Sequence, residues 1–563
     1  MCYNLIRVGD YMHGLLDMFI NKHVIICLIF VIINIILLFN KKISDKGLKI
    51  LNIIPIALGI IHYIFFNFKG NPDLTLSYFD TIYMTSLGFL VILFFIKQKK
   101  VYNLLIILFL PICLMDFLLT GVNMTRYYSI HNFSYYSYTN SFKKMMNTLK
   151  KEYVLNDWKK IDYDQLEKEY LPLIEEAEKN KDESLFYETV FKFVNEIQDG
   201  HFGAHCLNRA CLETMSKYDI NNYYGFDTVL LDDGRIIAIK VDPESDAYQK
   251  GLRDYYTIIA RDNIDILKYL DDYFYHTNGE PVEYNQRLIN STKIFYRGED
   301  KTSITYLDKK NNQKTIEVEN MDKGSDCFYH TLLSYRRVDH YYTEMLTDDI
   351  GYLNLNTEYT NRLKNLFSYL TGDSSYAKQP IIDNLNKLKE QGMKKLIIDL
   401  RGNLGGYFHI SGAYTEPFTD ESFTYSKAKR ITGYDEYKIK GSGEFKDIPI
   451  VVLTNANTGS AGDTLLEIYS RNPNVTIIGL MPSNNSSQEV GGQIYLTNTS
   501  INIFYPRFNS VTEDNKIYID PDDSRIENLK LDIKIEINED TIEKLINNDD
   551  YVLDYAIKYI QEK

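Results

Sequence analysis

The stretch PIVVLTNANTGSAGDTLLEIYSR, residues 449–471, holds a buried apolar strand, a glycine-containing turn and the start of a helix at or just after Ser460. A turn of this kind exposes a serine hydroxyl at the edge of a sheet. It also aims the first free N–H groups of the helix, such as that of Ala461, at an oxygen bound beside the serine. Upstream, IIDLRGNLGGYF over 397–408 is a second strand-to-turn passage, in which Gly402, Gly405 and Gly406 let the backbone approach a ligand closely. Around these two passages lie IGYLNLN from Ile350, a helix over 380–392, and VTIIG from Val475. Continuous apolar strands alternating with helices predict a largely parallel sheet covered on both faces. Ligands sit at the C-terminal ends of parallel strands, which lets both turns face one crevice.

Working outward, residues 138–198 read as a helical module of three segments with apolar residues at three- and four-residue spacing. From about 222 the period shifts towards two: TVLLDDG and RIIAIKVD are strands around an Asp-Gly turn, and DAYQKGL is a short helix ended by Gly251. At the other end, runs at 24–40, 50–68, about 78–96 and 101–122 have roughly the length and apolarity of bilayer-crossing helices. Lys41, Lys42, Lys46 and Lys49 follow the first run, Lys97, Lys99 and Lys100 the third, and only Lys69 the second. The positive-inside rule then expects the chain beyond Val122 to be extracytoplasmic, tethered to the cell membrane by four spans. His62 and Asp116 fall at similar depth in this scheme, either paired or solvated near the interface.

The formal charge is -14, divided as +4 up to Val122 and -18 beyond it. An acidic soluble part is repelled by phosphates, which argues against nucleic acid as a partner. Six cysteines in 563 residues are no disulfide framework. Cys206 and Cys211 alone are close enough in the ectodomain to bridge, and free buried thiols fit equally. His201, His205 and Cys206 lack a second ligand cluster, so neither a metal nor another cofactor is expected.

A serine nucleophile needs a base, usually lysine or histidine. No lysine occurs between Lys446 and Lys516. His201, in VNEIQDGHFGAH, sits in a turn at a helix end, where it serves either as the base or as a C-terminal cap. Ser460 likewise fits a nucleophile or an ordinary N-cap.

In combination the segments become specific. IGYLNLN, LIIDLRGNLGG, IVVLTNANTGSAGD and VTIIG, in this order, with the closing NNDDYVLDYAIKYIQ, resemble the catalytic core of the C-terminal processing (tail-specific) serine peptidases over about 350–560. That resemblance implies a ClpP/crotonase-like core. Residues 223–264 resemble the PDZ module of these enzymes, with Asp254-Tyr255 in place of the usual Gly-Asp. By the same resemblance Ser460 falls on the nucleophile, and Ala461 with Gly405 or Gly406 on the oxyanion-hole backbone. The lysine of the Ser-Lys branch is missing from MPSNNSSQEVGG. The Ser/His/Glu branch, which includes tricorn-type cores and the chlamydial secreted protease, places its histidine after an Asp-Gly pair, as His201 follows Asp199-Gly200. Its glutamate corresponds to Glu527 in RIENLKLDIKI, a segment about two residues shorter here than in the family.

The expected organisation is a four-span membrane domain (1–122), a helical module with the Asp-Gly-His turn (123–215), a PDZ-like, strand-rich module (216–345) and an α/β peptidase core (346–563). The expected partners are a protein or peptide substrate and, through the spans, the lipid bilayer. The expected activity is extracytoplasmic peptide hydrolysis through Ser460, His201 and Glu527. The alternative is an inactive, membrane-tethered relative that binds peptides or senses them.

Overall fold

The structure, a computed structural model, describes residues 129–563 except 219–221, 273–278, 299, 322–326, 337, 339, 360–367, 369–373 and 430–433. The chain divides into two compact units. In the first, the described residues are 129–134 and 492–500, where Ser129–Asn132 runs parallel to residues 492–495, with Ser129 opposite Gly492. Everything else described belongs to the second.

The second unit is built around a six-stranded sheet ordered Ile533–Lys534, Val475–Gly479, Ile450–Leu453, Lys395–Asp399, Ile350–Leu355, Tyr341–Met345. All neighbours are parallel except the last pair. Alternate side chains of each strand point to opposite faces. Tyr352, Ile397, Val451 and Leu453 accordingly pack on one side with Val552, Ala556 and Ile560 of the terminal helix Tyr551–Gln561. Leu353, Ile398, Ile450 and Val452 pack on the other with Leu385 of Ser375–Glu390 and Leu465 of Ala461–Ser470. The four inner strands are covered on both faces, which is why their sequences are largely apolar, whereas the edge strands Tyr341–Met345 and Ile533–Lys534 are partly exposed.

One buried ion cluster fixes the terminal helix to the glycine turn. Arg401 forks onto Asp399 (2.9 and 2.7 Å) and onto Asp550 (2.7 Å twice). Asp550 is also the N-cap of the terminal helix and accepts the Leu553 N–H.

The helical module is Tyr138–Glu152, Tyr163–Asn180 and Glu183–Asn195, the latter two capped by Asp162 and Asp182. After Asn195 the chain turns through His201 into the strand Gly203–Cys206, which pairs antiparallel with residues 501–504. Cys206 is bonded to Cys211. In the strand-rich module Asp227–Leu230 and Ile236–Ile239 form the expected hairpin, followed by the short helix Asp246–Gln249. They belong to a six-stranded sheet with Thr257–Arg261, Lys301–Leu307, Gln313–Glu319 and the short Ile264–Asp265, which pairs with Thr257–Arg261.

The expectation of a four-span membrane protein is corrected. Among the described residues no helix is long and apolar enough to cross a membrane. The 18-residue helix Tyr163–Asn180 carries charged residues along its length, and what is described is a mixed α/β fold with several sheets. The four runs between residues 24 and 122 lie outside the described residues. The cell-membrane, multi-pass localisation and the bilayer contact expected from those runs are corrected with it.

Candidate active site

Ser460 begins the helix Ala461–Ser470 at φ 59° and ψ -124°, and its side chain makes no capping hydrogen bond. A non-glycine residue is held in such a conformation only when its surroundings over-determine it, at a cost of roughly 1–3 kcal/mol. Those surroundings are visible on both sides of the serine. The Gly459 N–H donates to the Asn403 carbonyl (2.9 Å), and the Ser460 N–H to the Ser486 carbonyl (2.9 Å). Thr458 Oγ1 donates to the Leu400 carbonyl (2.8 Å). The turn after the Ile450–Leu453 strand is therefore held between the glycine turn and the 483–488 loop.

That loop has its own clamp. Asp463, buried one turn into the helix, accepts the N–H groups of Asn485 (3.1 Å) and Ser486 (2.8 Å). Burial pushes its carboxyl up to about 7 against these hydrogen bonds. The Asn484 N–H donates to the Thr458 carbonyl (2.7 Å).

The glycine turn lies directly on the serine. A Cβ at Gly405 would fall 2.6 Å from Ser460 Cβ and 2.7 Å from the Ala461 nitrogen, so only glycine permits the approach. The Gly405 N–H points inward and donates to Asn403 Oδ1 (2.8 Å). Asn403 in turn donates to the buried Glu358 (3.0 Å) and to the Leu355 carbonyl (2.9 Å). The N–H groups of Gly406 and Ala461 make no hydrogen bond among the described residues. Of the expected oxyanion donors, these two are available and that of Gly405 is taken.

Ser460 and His201 line one cavity of about 750 Å³, with Gly459, Leu404, Asn484, Glu280, Lys293 and Arg525 among its other walls. The His201 N–H donates to Asp199 Oδ1 (2.8 Å), and its ring Nδ1 meets Ser486 Oγ (2.8 Å). Burial holds its pKa below the ordinary histidine value, against the raising effect of the Asp199 carboxylate. His205 stacks on Phe504, and Cys206 is disulfide-bonded, so neither joins His201 in a ligand set.

Glu527 makes no hydrogen bond or ion pair, to His201 or to any other group, among the described residues and does not line the cavity. Its loop is nonetheless close by: Asn485, one residue before Ser486, accepts the N–H groups of Asn528 (2.8 Å) and Leu529 (2.7 Å). Arg525 donates to Gln286 (2.8 Å) and to the Glu280 carbonyl (2.7 Å).

Several site residues escaped the sequence reading. Ser486 and Asn484 lie in the segment read only for its missing lysine. Glu280, pushed up to about 8 by burial, and Lys293, pushed down to about 8 by burial, face the cavity from the strand-rich module. Lys293 lies over the Tyr329 ring at 3.9 Å. No local pattern marked either residue. Asp199 carried a visible signal, its place two residues before His201, where an Asp side chain caps the turn.

Residues 349–525 match the model described as Peptidase family S41. The chain is 30% identical over 106 residues to a carboxyl-terminal-processing protease of Picosynechococcus sp., covering 19% of this chain and 25% of that protein. It is 27% identical over 143 residues to the carboxy-terminal processing protease CtpA of Bacillus subtilis, covering 25% of this chain and 27% of that protein. The chain thus spans about a quarter of the length of these two curated relatives. Among solved structures, mature CPAF aligns at 13% identity with a TM-score of 0.47, over 74% of this chain and 98% of that one. The photosystem II D1 C-terminal processing protease aligns at 14% identity with a TM-score of 0.34, over 72% and 94%.

Proposed function

We propose that this chain, whose residues 349–525 belong to Peptidase family S41, is a serine peptidase of the C-terminal processing kind that hydrolyses peptide bonds of protein or peptide substrates. The observation that carries this reading is the strained turn that places Ser460 in one cavity with His201. An ordinary N-cap needs neither the strain nor the absence of a capping bond.

In the proposed reaction Ser460 Oγ attacks the substrate carbonyl while His201 removes its proton. The oxygen that becomes negative is held by the Ala461 and Gly406 N–H groups, each contributing on the order of 3 kcal/mol to the transition state. His201 then delivers the proton to the departing amine, and water releases the acyl group by the same steps in reverse. The helical module supplies the base and the peptidase core the nucleophile, so neither part acts alone. In this reading the strand-rich module, which resembles a PDZ domain in its strand-turn-strand-helix order, presents the substrate chain. The share of Glu527 is read from Glu527→Gln.

A second reading, a relative that binds peptides without cleaving them, is favoured by the lack of a hydrogen bond between Glu527 and His201 among the described residues. Treatment of the full chain with a fluorophosphonate probe separates the two. An adduct on Ser460 that is absent from Ser460→Ala supports the peptidase. A folded chain that binds peptides but forms no adduct at Ser460 supports the binder.

A further inference from the structure

His201 is held by a pair of side chains that the expected Ser/His/Glu set does not contain. Ser486 Oγ lies 2.8 Å from His201 Nδ1 and donates to Asp199 Oδ1 at 3.2 Å. Asp199 is fully buried, with Oδ1 also accepting the His201 N–H (2.8 Å) and Oδ2 accepting the Tyr153 hydroxyl (2.7 Å). Ser486 is equally buried and fixed at both ends of its backbone, by Asp463 at the nitrogen and by the Ser460 N–H at the carbonyl.

A hydroxyl has one proton to donate. With that proton committed to the Asp199 carboxylate, Ser486 Oγ can only accept from His201, so Nδ1 must carry hydrogen. The ring's Nε2 is then the nitrogen with a free lone pair. We infer that Asp199, acting through Ser486, fixes the His201 tautomer and stabilises the imidazolium, the role that the family resemblance implies for Glu527. This rests on the peptidase reading given above for what the tautomer is used for, but the hydrogen-bond chain itself does not depend on it.

Ser486 and Asp199 are positioning residues, since neither touches the substrate. The proton stays on Nδ1 throughout the cycle, and Asp199 acts only as a hydrogen-bond acceptor. The other charged groups nearby are Asp520 and Lys159 behind Asp199, with Glu280, Lys293 and Arg525 around the cavity. None of them is hydrogen-bonded to the imidazole among the described residues. Ser486 also ties the base to the nucleophile, because its hydroxyl meets His201 while its carbonyl receives the Ser460 N–H.

The test uses two variants of the full chain. Ser486→Ala removes one oxygen and adds no bulk. Asp199→Asn retains an acceptor for both Ser486 and the His201 N–H but loses the charge. Nitrogen-15 NMR of the histidine side chains, assigned by difference with His201→Ala, should show the Nδ1–H form in the parent chain and in Asp199→Asn. In Ser486→Ala that preference should be lost. Peptide hydrolysis should fall roughly 10- to 100-fold in kcat with little change in KM for Ser486→Ala, the range for one hydrogen bond to a charged group. For Asp199→Asn the acid limb of the pH profile should move to lower pH, because the carboxylate that raises the His201 pKa is gone. An Nε2–H form in the parent chain would overturn the inference, whatever the activity. So would a folded Ser486→Ala chain with the parent tautomer and kcat. A chain without peptidase activity but with the expected tautomers would remove the peptidase reading and leave the hydrogen-bond assignment standing.

Discussion

Gly405→Ala adds a single carbon at the point where the glycine turn meets the serine. At φ +91° that carbon falls 2.6 Å from Ser460 Cβ, 2.7 Å from the Ala461 nitrogen and 2.9 Å from the Gly459 carbonyl oxygen. Carbon contacts are comfortable at about 3.5–4.0 Å, so the shortfall is close to 1 Å. All three neighbours are backbone atoms or a Cβ, and no rotamer change relieves the clash. Left-handed backbone costs alanine roughly 1–2 kcal/mol and overpacking a further 1–3, giving roughly 2–5 kcal/mol in total. For a unit of this size the midpoint of thermal unfolding should fall by roughly 2–6 °C. A shift of the serine by close to 1 Å should slow its reaction by about 100-fold. Gly234→Ala is the control: φ is +88° there, and nothing lies within 4 Å of the added carbon. It carries the conformational cost of roughly 1–2 kcal/mol alone and should leave the reaction rate unchanged. The assay is differential scanning fluorimetry beside the fluorophosphonate labelling rate of each full-length variant. A Gly405→Ala chain with the stability and labelling rate of the Gly234→Ala control would refute the direct contact between turn and serine.

Ser460→Gly should abolish labelling and at the same time raise stability by on the order of 1 kcal/mol, because glycine adopts the backbone angles that strain serine; chemical denaturation measures it, and a loss of stability would count against the strain. Stability should also depend on pH through Glu358. Burial pushes this carboxyl up to about 8 from 4.5, so the folded state favours its protonated form. Its contribution is fully present below the unfolded value and is lost as pH rises through about 8, at up to about 1.4 kcal/mol per pH unit between those limits. Glu358→Gln keeps the hydrogen bond from Asn403 and should flatten that decline in unfolding midpoints measured from pH 5 to 8. An unchanged slope would show that Glu358 is ionised in the fold.

The parts of the fold that were legible in sequence are those governed by local chemistry. Four apolar runs gave four of the sheet's strands, because a strand buried on both faces has no polar positions to disguise it. The Ser460 turn was legible because a glycine and a helix start follow a strand at short range. The helical segments were read to within a few residues for the same reason. What escaped depends on contacts far apart in the chain. Ser486 meets His201 across 285 residues, from a polar loop with no periodicity. Glu280 and Lys293 acquire their shifted pKa values from burial in a cavity that no local pattern announces. Asn403 diverts the Gly405 N–H, a side-chain choice that the glycine spacing cannot show. Glu527 was assigned by resemblance to a segment of a different length, and the hydrogen bonds of its loop run through Asn485 and Arg525. The bridge between Cys206 and Cys211, open in sequence beside two free thiols, is formed.

The central claim is that Ser460 and His201 form one proton-transfer unit, and peptide hydrolysis by Ser460→Ala, His201→Ala and the double variant tests it most directly. Folding of the His201→Ala chain is verified first, since a histidine at a helix end can itself contribute about 1 kcal/mol. Residues that act as a unit are not additive: each single variant should lose activity to a similar extent, and the double variant should be no worse. A folded His201→Ala chain that keeps full activity, or a double variant whose loss equals the product of the two single losses, would contradict it.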